Sequence, residues 1–173
     1  MLFLPLFAAA LMQDAIVPAV DPLAPARAGQ LQCYSPDTAR KTCNSLAGYG
    51  DNGDGTYTNT ATVLLSSQPA ITMSNATSVR LIDGAVCGTL SQADIAAGTV
   101  SVDGQVLPSG QAQFVLAAVS NALDKVIDHE ICTTYEPAGE GLVAHGSLDG
   151  VARPDMDQPI IWVTPSDGYT VAP

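Results

Sequence analysis

Asp-Gly recurs five times in this chain, at Asp54, Asp83, Asp103, Asp149 and Asp167. Both central residues of a type I′ turn need positive φ, so Asp-Gly between apolar runs marks a tight hairpin. Hairpins of this kind join neighbouring antiparallel strands. The densest signal is DNGDG, 51–55, which separates 42–49 from the run TYTNTATVLL. In that run Thr56, Thr58, Thr60 and Thr62 alternate with Tyr57, Asn59, Ala61 and Val63. Period two with threonines on one side predicts a strand with a solvated face. Further strands are expected at 70–73, 78–82, 85–89, 99–102, 131–135, 142–148 and 160–164.

Two helices interrupt the strands. SQADIAAG, 91–98, carries Ser91 as N-cap, Asp94 three residues on, and Gly98 as a stop. A longer helix is expected over 109–129, with Ser109 after Pro108 as its cap. Ala112, Val115, Leu116, Val119, Ala122, Leu123, Val126 and Ile127 recur at three and four and form one apolar stripe. Such a stripe must be buried, and the apolar side of a sheet is the available partner. The expected fold is α+β: an antiparallel sheet of about six to eight strands with one long amphipathic helix packed on it.

The first twelve residues, MLFLPLFAAALM, are apolar and uncharged. A spanning helix takes about 20 residues. The run instead has the apolar region and small-residue end of a secretory signal, without the usual basic start. A signal peptide is expected over 1–19, with cleavage after Ala10 or Ala19 left open. A Pro/Ala-rich linker is expected over 20–30 and a single α+β domain over 31–173. Four cysteines, Cys33, Cys43, Cys87 and Cys132, allow three pairings, and sequence alone does not choose. None lies in a CxxC pair. An even count behind a leader predicts two disulfides in an oxidising compartment, periplasmic or extracellular. The preferred pairing is Cys33 with Cys43 and Cys87 with Cys132.

Six Lys+Arg stand against 17 Asp+Glu, for a net charge of -11. Phosphate contacts require clustered cations, so nucleic acid is an unsuitable partner. An anionic membrane surface is equally unsuitable, and no stable span is expected once the leader is cleaved.

The candidate chemistry is sparse. His129, Glu130 and His145 are the only candidates for a metal set, and neither HExxH nor an i, i+4 histidine pair exists. His129 also suits the negative end of the long helix. HGSLDG, 145–150, brings His145, Ser147 and Asp149 close in sequence, but no GxSxG is present. DNGDG fails as a calcium loop because the first ligand position is Gly50 and the last is Ala61. Arg40 and Lys41 form the one basic pair, on a loop that a Cys33–Cys43 bridge would close, and either contact an acidic partner or lie in solvent. Trp162 is expected inward as a core anchor. Asn75-Ala76-Thr77 matches a glycosylation sequon. No cofactor is expected.

The runs SPDTARKTC, TYTNTATVLLSS, GAVCGTL, EICTTY and IIWVTPSDGYTVAP resemble those of small, uncharacterised exported proteins of alpha-proteobacteria. That resemblance implies export and assigns no activity and no site residues. The expected role is an exported, disulfide-stabilised binding or envelope accessory protein without catalysis, whose partner is an unknown protein or small molecule. Two alternatives stand beside it. One is a small extracytoplasmic, hydrolase-like enzyme with a site around His145. The other is a surface-structural protein that self-associates through a sheet edge.

Overall fold

The computed structural model describes residues 21–173. The expected signal peptide and the first residue of the expected linker lie outside the described residues. In chain order the elements are α1 (Ala24–Arg27), β1 (Leu31–Tyr34), β2 (Thr42–Cys43), β3 (Ser45–Asp51), β4 (Thr56–Ser67), β5 (Ala70–Ile82) and β6 (Ala85–Thr89). Then come α2 (Gln92–Ala96), β7 (Thr99–Val102), β8 (Gln105–Val106), α3 (Ser109–Ala122), β9 (Glu130–Ala138), β10 (Gly141–Leu148), β11 (Val151–Val163) and β12 (Thr170–Val171). A 3-10 turn covers Pro165–Asp167.

Three of the Asp-Gly pairs make the hairpins expected of them. Asp83-Gly84 joins β5 to β6, Asp103-Gly104 joins β7 to β8, and Asp149-Gly150 joins β10 to β11, all with positive φ at both residues. The acidic groups of DNGDG serve the turn. Asp51 Oδ1 accepts from the Gly53 N–H, and Asp54 Oδ1 accepts from the N–H and hydroxyl of Thr56. Gly168 takes the left-handed conformation that ends the 3-10 turn.

The main sheet closes on itself. Its strands run β4-β3-β1-β11-β10-β9-β6-β5, and β5 pairs back to β4. Every pairing in this ring is antiparallel. Apart from β2, β7 and β8, each strand's ring neighbours are its neighbours in sequence, and β11 joins β1. The result is an eight-stranded up-and-down barrel, with β7 and β8 as a flap paired to the first half of β5. Closure removes the exposed edges that an open sheet must protect.

Register fixes which side chains point in, because directly opposed residues share a face. One continuous face links Gln32–Ala47–Ala61–Asn75, and beside it Tyr49–Asn59–Thr77. The same face continues through Val79–Gly88–Ile131 and Val86–Thr133, then Tyr135–Ala144–Gln158. This is the inner wall. The other face of β4 and β5 carries Thr58, Thr60, Thr62, Ser74, Ala76 and Ser78, a polar exterior. The Thr62 and Ser74 hydroxyls are 2.8 Å apart across it.

One end of the barrel is plugged. Leu23 of the α1 turn is fully buried and packs with Ala26 against Val86, Tyr57, Leu81 and Trp162. Asp21 accepts from the Leu23 N–H and pairs with Arg27, which also donates to the Tyr57 hydroxyl. The segment read as a linker therefore packs onto the barrel from Asp21 onward. Pro25 sits in the first turn, where its missing N–H costs nothing. Trp162 points inward as expected.

Two disulfides brace the outside. Cys33–Cys43 ties β1 to β2 and packs with Leu46 and Val163. Cys87–Cys132 joins opposed residues of β6 and β9. Both match the preferred pairing, and no free cysteine remains.

The sheet-rich antiparallel class holds, and three details of the expectation do not. Twelve strands occur among the described residues rather than about six to eight. The expected break inside β5 is absent, β11 starts at Val151 rather than at 160, and β1, β8 and β12 were not anticipated. The helix over 109–129 stops at Ala122, and its N-cap is Pro108 rather than Ser109. Beyond it the Val126 N–H turns to Leu123 O, and the Asp128 N–H leaves for Leu90 O. Those diversions bring the chain back to the end of β6, where β9 must start. The helix packs on the sheet at its flap end rather than along the whole barrel wall. Leu116 and Ala112 pack with Ile95 of α2, Val100 of β7 and Met73 of β5, while Phe114 is 73% exposed. The shorter helix, α2, has its Ser91–Asp94 capping box as expected.

Candidate functional site

The barrel interior opens away from the α1 plug, between the end of β4 and the start of β3. A chamber of about 490 Å³ lies there, bounded by Tyr34, Ala47, Tyr49, Asn59, Ala61, Val63 and Gln158, with Leu65, Ser66 and Ser67 at the rim. A second chamber of about 240 Å³ shares Tyr34, Tyr49 and Asn59 and continues past Asn75, Thr77, Thr133 and Tyr135. An eight-stranded barrel is at the width where side chains either fill the interior or leave room for one small ligand. Here small residues at the opposed positions Ala47 and Ala61 leave room.

A polar node lies between these chambers and the plug. Gln32 is fully buried. Its Oε1 accepts from the Tyr34 hydroxyl at 2.9 Å and the Tyr49 hydroxyl at 2.8 Å, with Tyr135 at 3.5 Å. Its Nε2 finds no partner among the described residues. A buried polar atom of this kind carries a desolvation cost of about 1–3 kcal/mol. Burial, then the neighbouring Tyr135 phenol, holds the Tyr34 hydroxyl well above the usual tyrosine range. Burial and then Tyr34 raise Tyr49 in the same way. Both phenols stay protonated at neutral pH. Asn59 donates to Gly48 O at 3.2 Å, which sets its amide plane and leaves Oδ1 as an acceptor.

None of the described residues bounding the two chambers is ionisable at neutral pH. The chambers offer hydrogen bonds, aromatic faces and small apolar patches. They do not offer an ionised acid–base pair.

The residues singled out from sequence lie elsewhere. His145 is on the outer face of β10, its Nδ1 2.8 Å from Asp157 Oδ2 and its Nε2 3.7 Å from Glu136. Ser147 donates instead to Cys132 O, so His145 and Ser147 serve different partners. Asp149 pairs with His129 at 2.6 Å. The His129 contact and the Glu130 N–H lower the Asp149 pKa. His129 follows α3 by several residues and does not cap it. Glu130 is held by Arg80. His129 and His145 thus belong to separate pairs, and no cluster of three His, Cys, Asp or Glu suited to a metal occurs among the described residues. Arg40 and Lys41 pin the C-terminal segment: Arg40 bonds Asp37 and Pro173 O, and Lys41 donates to Asp167 O. There β12 pairs parallel with β2. Asn75 of the sequon lies on the inner wall, so its amide does not face solvent as an acceptor must.

Sequence reasoning missed the chamber. The signal was present in Tyr57, Asn59, Ala61 and Val63, the positions alternating with the threonines, but alternation alone does not tell a filled core face from the wall of a chamber.

No protein-family model, curated protein or solved structure matches this chain.

Proposed function

We propose that the protein is an exported binding protein that holds one small molecule in the open end of its barrel. The observation that carries this reading is the roughly 490 Å³ chamber between Tyr34, Tyr49, Asn59 and Ala61. That volume falls within the range of about 300–1,000 Å³ used by small-molecule sites. The closed ring makes the chamber largely pre-formed, which lowers the ordering cost of binding. Two disulfides, with no free cysteine among the described residues, favour an oxidising compartment and therefore export. No helix among the described residues is long and apolar enough to cross a membrane.

The reading is tested by ligand-observed NMR on a library of small neutral and charged compounds, comparing wild type with Ala61→Trp. Indole bulk at Ala61 fills the chamber midway down. Hits that bind wild type and vanish in the variant support the reading. Hits unaffected by the variant, or an empty screen, count against it.

A further inference from the structure

We propose that the ligand is a neutral amphiphile, with a hydroxyl or amide at one end and an apolar body, and that it enters polar end first. This rests on the chamber-binding reading above and specifies its chemistry.

The first observation is charge. The chain carries 17 Asp+Glu and 6 Lys+Arg, yet none of the described ones bounds either chamber. A carboxylate or ammonium carried to the inner end loses water and gains no counter-charge, which is costly. A neutral head group avoids that cost.

The second is the direction of the hydrogen bonds. The hydroxyl hydrogens of Tyr34 and Tyr49 are committed to Gln32 Oε1, so each oxygen presents a lone pair. Asn59 commits an N–H to Gly48 O and presents Oδ1. The amides also keep donors: Asn59 has a second N–H, and Gln32 Nε2 has no partner among the described residues, so the inner end offers acceptors and donors together and suits a hydroxyl or amide head, which does both. The raised pKa values of the two phenols keep them neutral in this role.

The third is the order of residues along the chamber. Tyr49 opposes Asn59, the next inward pair is Ala47 and Ala61, and Ser45 and Val63 follow towards the mouth. Val63 and Leu65 are 36% and 38% exposed at the opening. Above the Tyr49–Asn59 pair, Ala47, Ala61, Val63 and Leu65 thus give an apolar body a wall to lie on, with Ser45, Ser66 and Ser67 as polar groups towards the rim.

A series of equal chain and different head tests this. 1-Octanol, octanoate and octylammonium are titrated into the full protein by calorimetry, with the side-chain amide signals of Asn59 followed by NMR. Expected is saturable binding of octanol with a shift of the Asn59 amide. Octanoate and octylammonium bind at least tenfold more weakly. Asn59→Ala weakens octanol about two- to tenfold, the loss of one hydrogen bond. Octanoate or octylammonium binding as tightly as octanol overturns the proposal. So does octanol binding that leaves the Asn59 signals unmoved, a readout that needs no variant to fold. Suppose no octyl probe binds, while the neutral dye N-phenyl-1-naphthylamine still binds in an Ala61→Trp-sensitive way. The head-group inference then fails and the chamber reading stands. If the dye also fails to bind, both fall.

Discussion

Replacing Gln32 by leucine tests how the barrel interior is balanced. In the native protein one carbonyl serves two tyrosine hydroxyls at 2.8 and 2.9 Å, while the amide nitrogen has no partner among the described residues. Gln32→Leu keeps much of the volume and removes both amide atoms. Two enclosed hydroxyls lose their acceptor, each at about 1–3 kcal/mol, and one unpaired N–H group of similar cost disappears. The net is one group's worth, a destabilisation of about 1–3 kcal/mol. Adding Tyr34→Phe and Tyr49→Phe removes the stranded hydroxyls as well, and replacing all partners by apolar groups of like shape is close to neutral. The triple variant is therefore expected to recover to within about 1 kcal/mol of wild type, although each tyrosine change alone costs about 0.5–1.5 kcal/mol. Urea unfolding with intact disulfides measures this, provided the slope is unchanged so that midpoints report stability. A Gln32→Leu variant within about 0.5 kcal/mol of wild type would refute the reasoning. So would a triple variant whose loss equals the sum of the separate losses, because that additivity means the groups are not coupled.

Further outcomes follow from other parts of the molecule. Removing Cys87–Cys132, which closes a separation of 45 residues, is expected to cost about 4 kcal/mol. Removing Cys33–Cys43, with a separation of 10, costs about 2.7 kcal/mol from loop entropy alone; paired Cys→Ala variants in guanidinium melts give the ranking. Leu23→Ala loosens the fully buried plug and costs about 2–5 kcal/mol. A much smaller global loss, together with lost hydrogen-exchange protection around Arg27, would show that α1 undocks without the barrel. Gly141→Ala places a Cβ 2.5 Å from Ile160 O and 3.0 Å from Ile161, so it destabilises by about 1–3 kcal/mol in thermal melts. Alkaline titration followed by tyrosinate absorbance is expected to leave Tyr34 and Tyr49 protonated after exposed phenols ionise near pH 10. Because folding raises these pKa values, their contribution to stability is intact below pH ~10 and declines as pH rises through the folded-state values.

The hairpins were readable because a type I′ turn is written in two adjacent residues. Asp83-Gly84, Asp103-Gly104 and Asp149-Gly150 need no distant partner to declare themselves. Cysteine pairing was readable as a preference, since Cys87 and Cys132 end up opposed on β6 and β9. Closure was not readable, because it depends on β11 meeting β1 across more than a hundred residues of chain, with no local signature. The overlong helix has a different cause. The apolar stripe does continue through Leu123 and Ile127, which join the same core, but regular helix ends at Ala122: the Val126 N–H tightens onto Leu123 O and the Asp128 N–H leaves for Leu90 O. Pro22 and Pro25 suggested a linker, whereas they stand where a helical turn starts. The chamber was hidden because Asn59, Asn75, Thr77 and Thr133 are polar residues facing inward. Pattern reasoning assigns such residues to solvent. His129 and His145 drew notice for their chemistry alone, and each is accounted for by one carboxylate neighbour.

Thr89 and Glu130 face each other as the last paired residues of β6 and the first of β9. The chain leaves the barrel wall and returns to it at one place, forty residues later, with the Cys87–Cys132 bridge just inside. The seam between β6 and β9 is thus complete without anything in the intervening stretch, which docks through Met73 and Ile71 of β5. That stretch behaves as a graft on a finished ring. A short turn in its place would leave the ladders of the eight-stranded ring intact and their base already clamped, while the start of β5 would lose its pairing with β7. The barrel and its appendage can accordingly be varied in separate steps, one shaping the chamber and the other the flank beside its mouth.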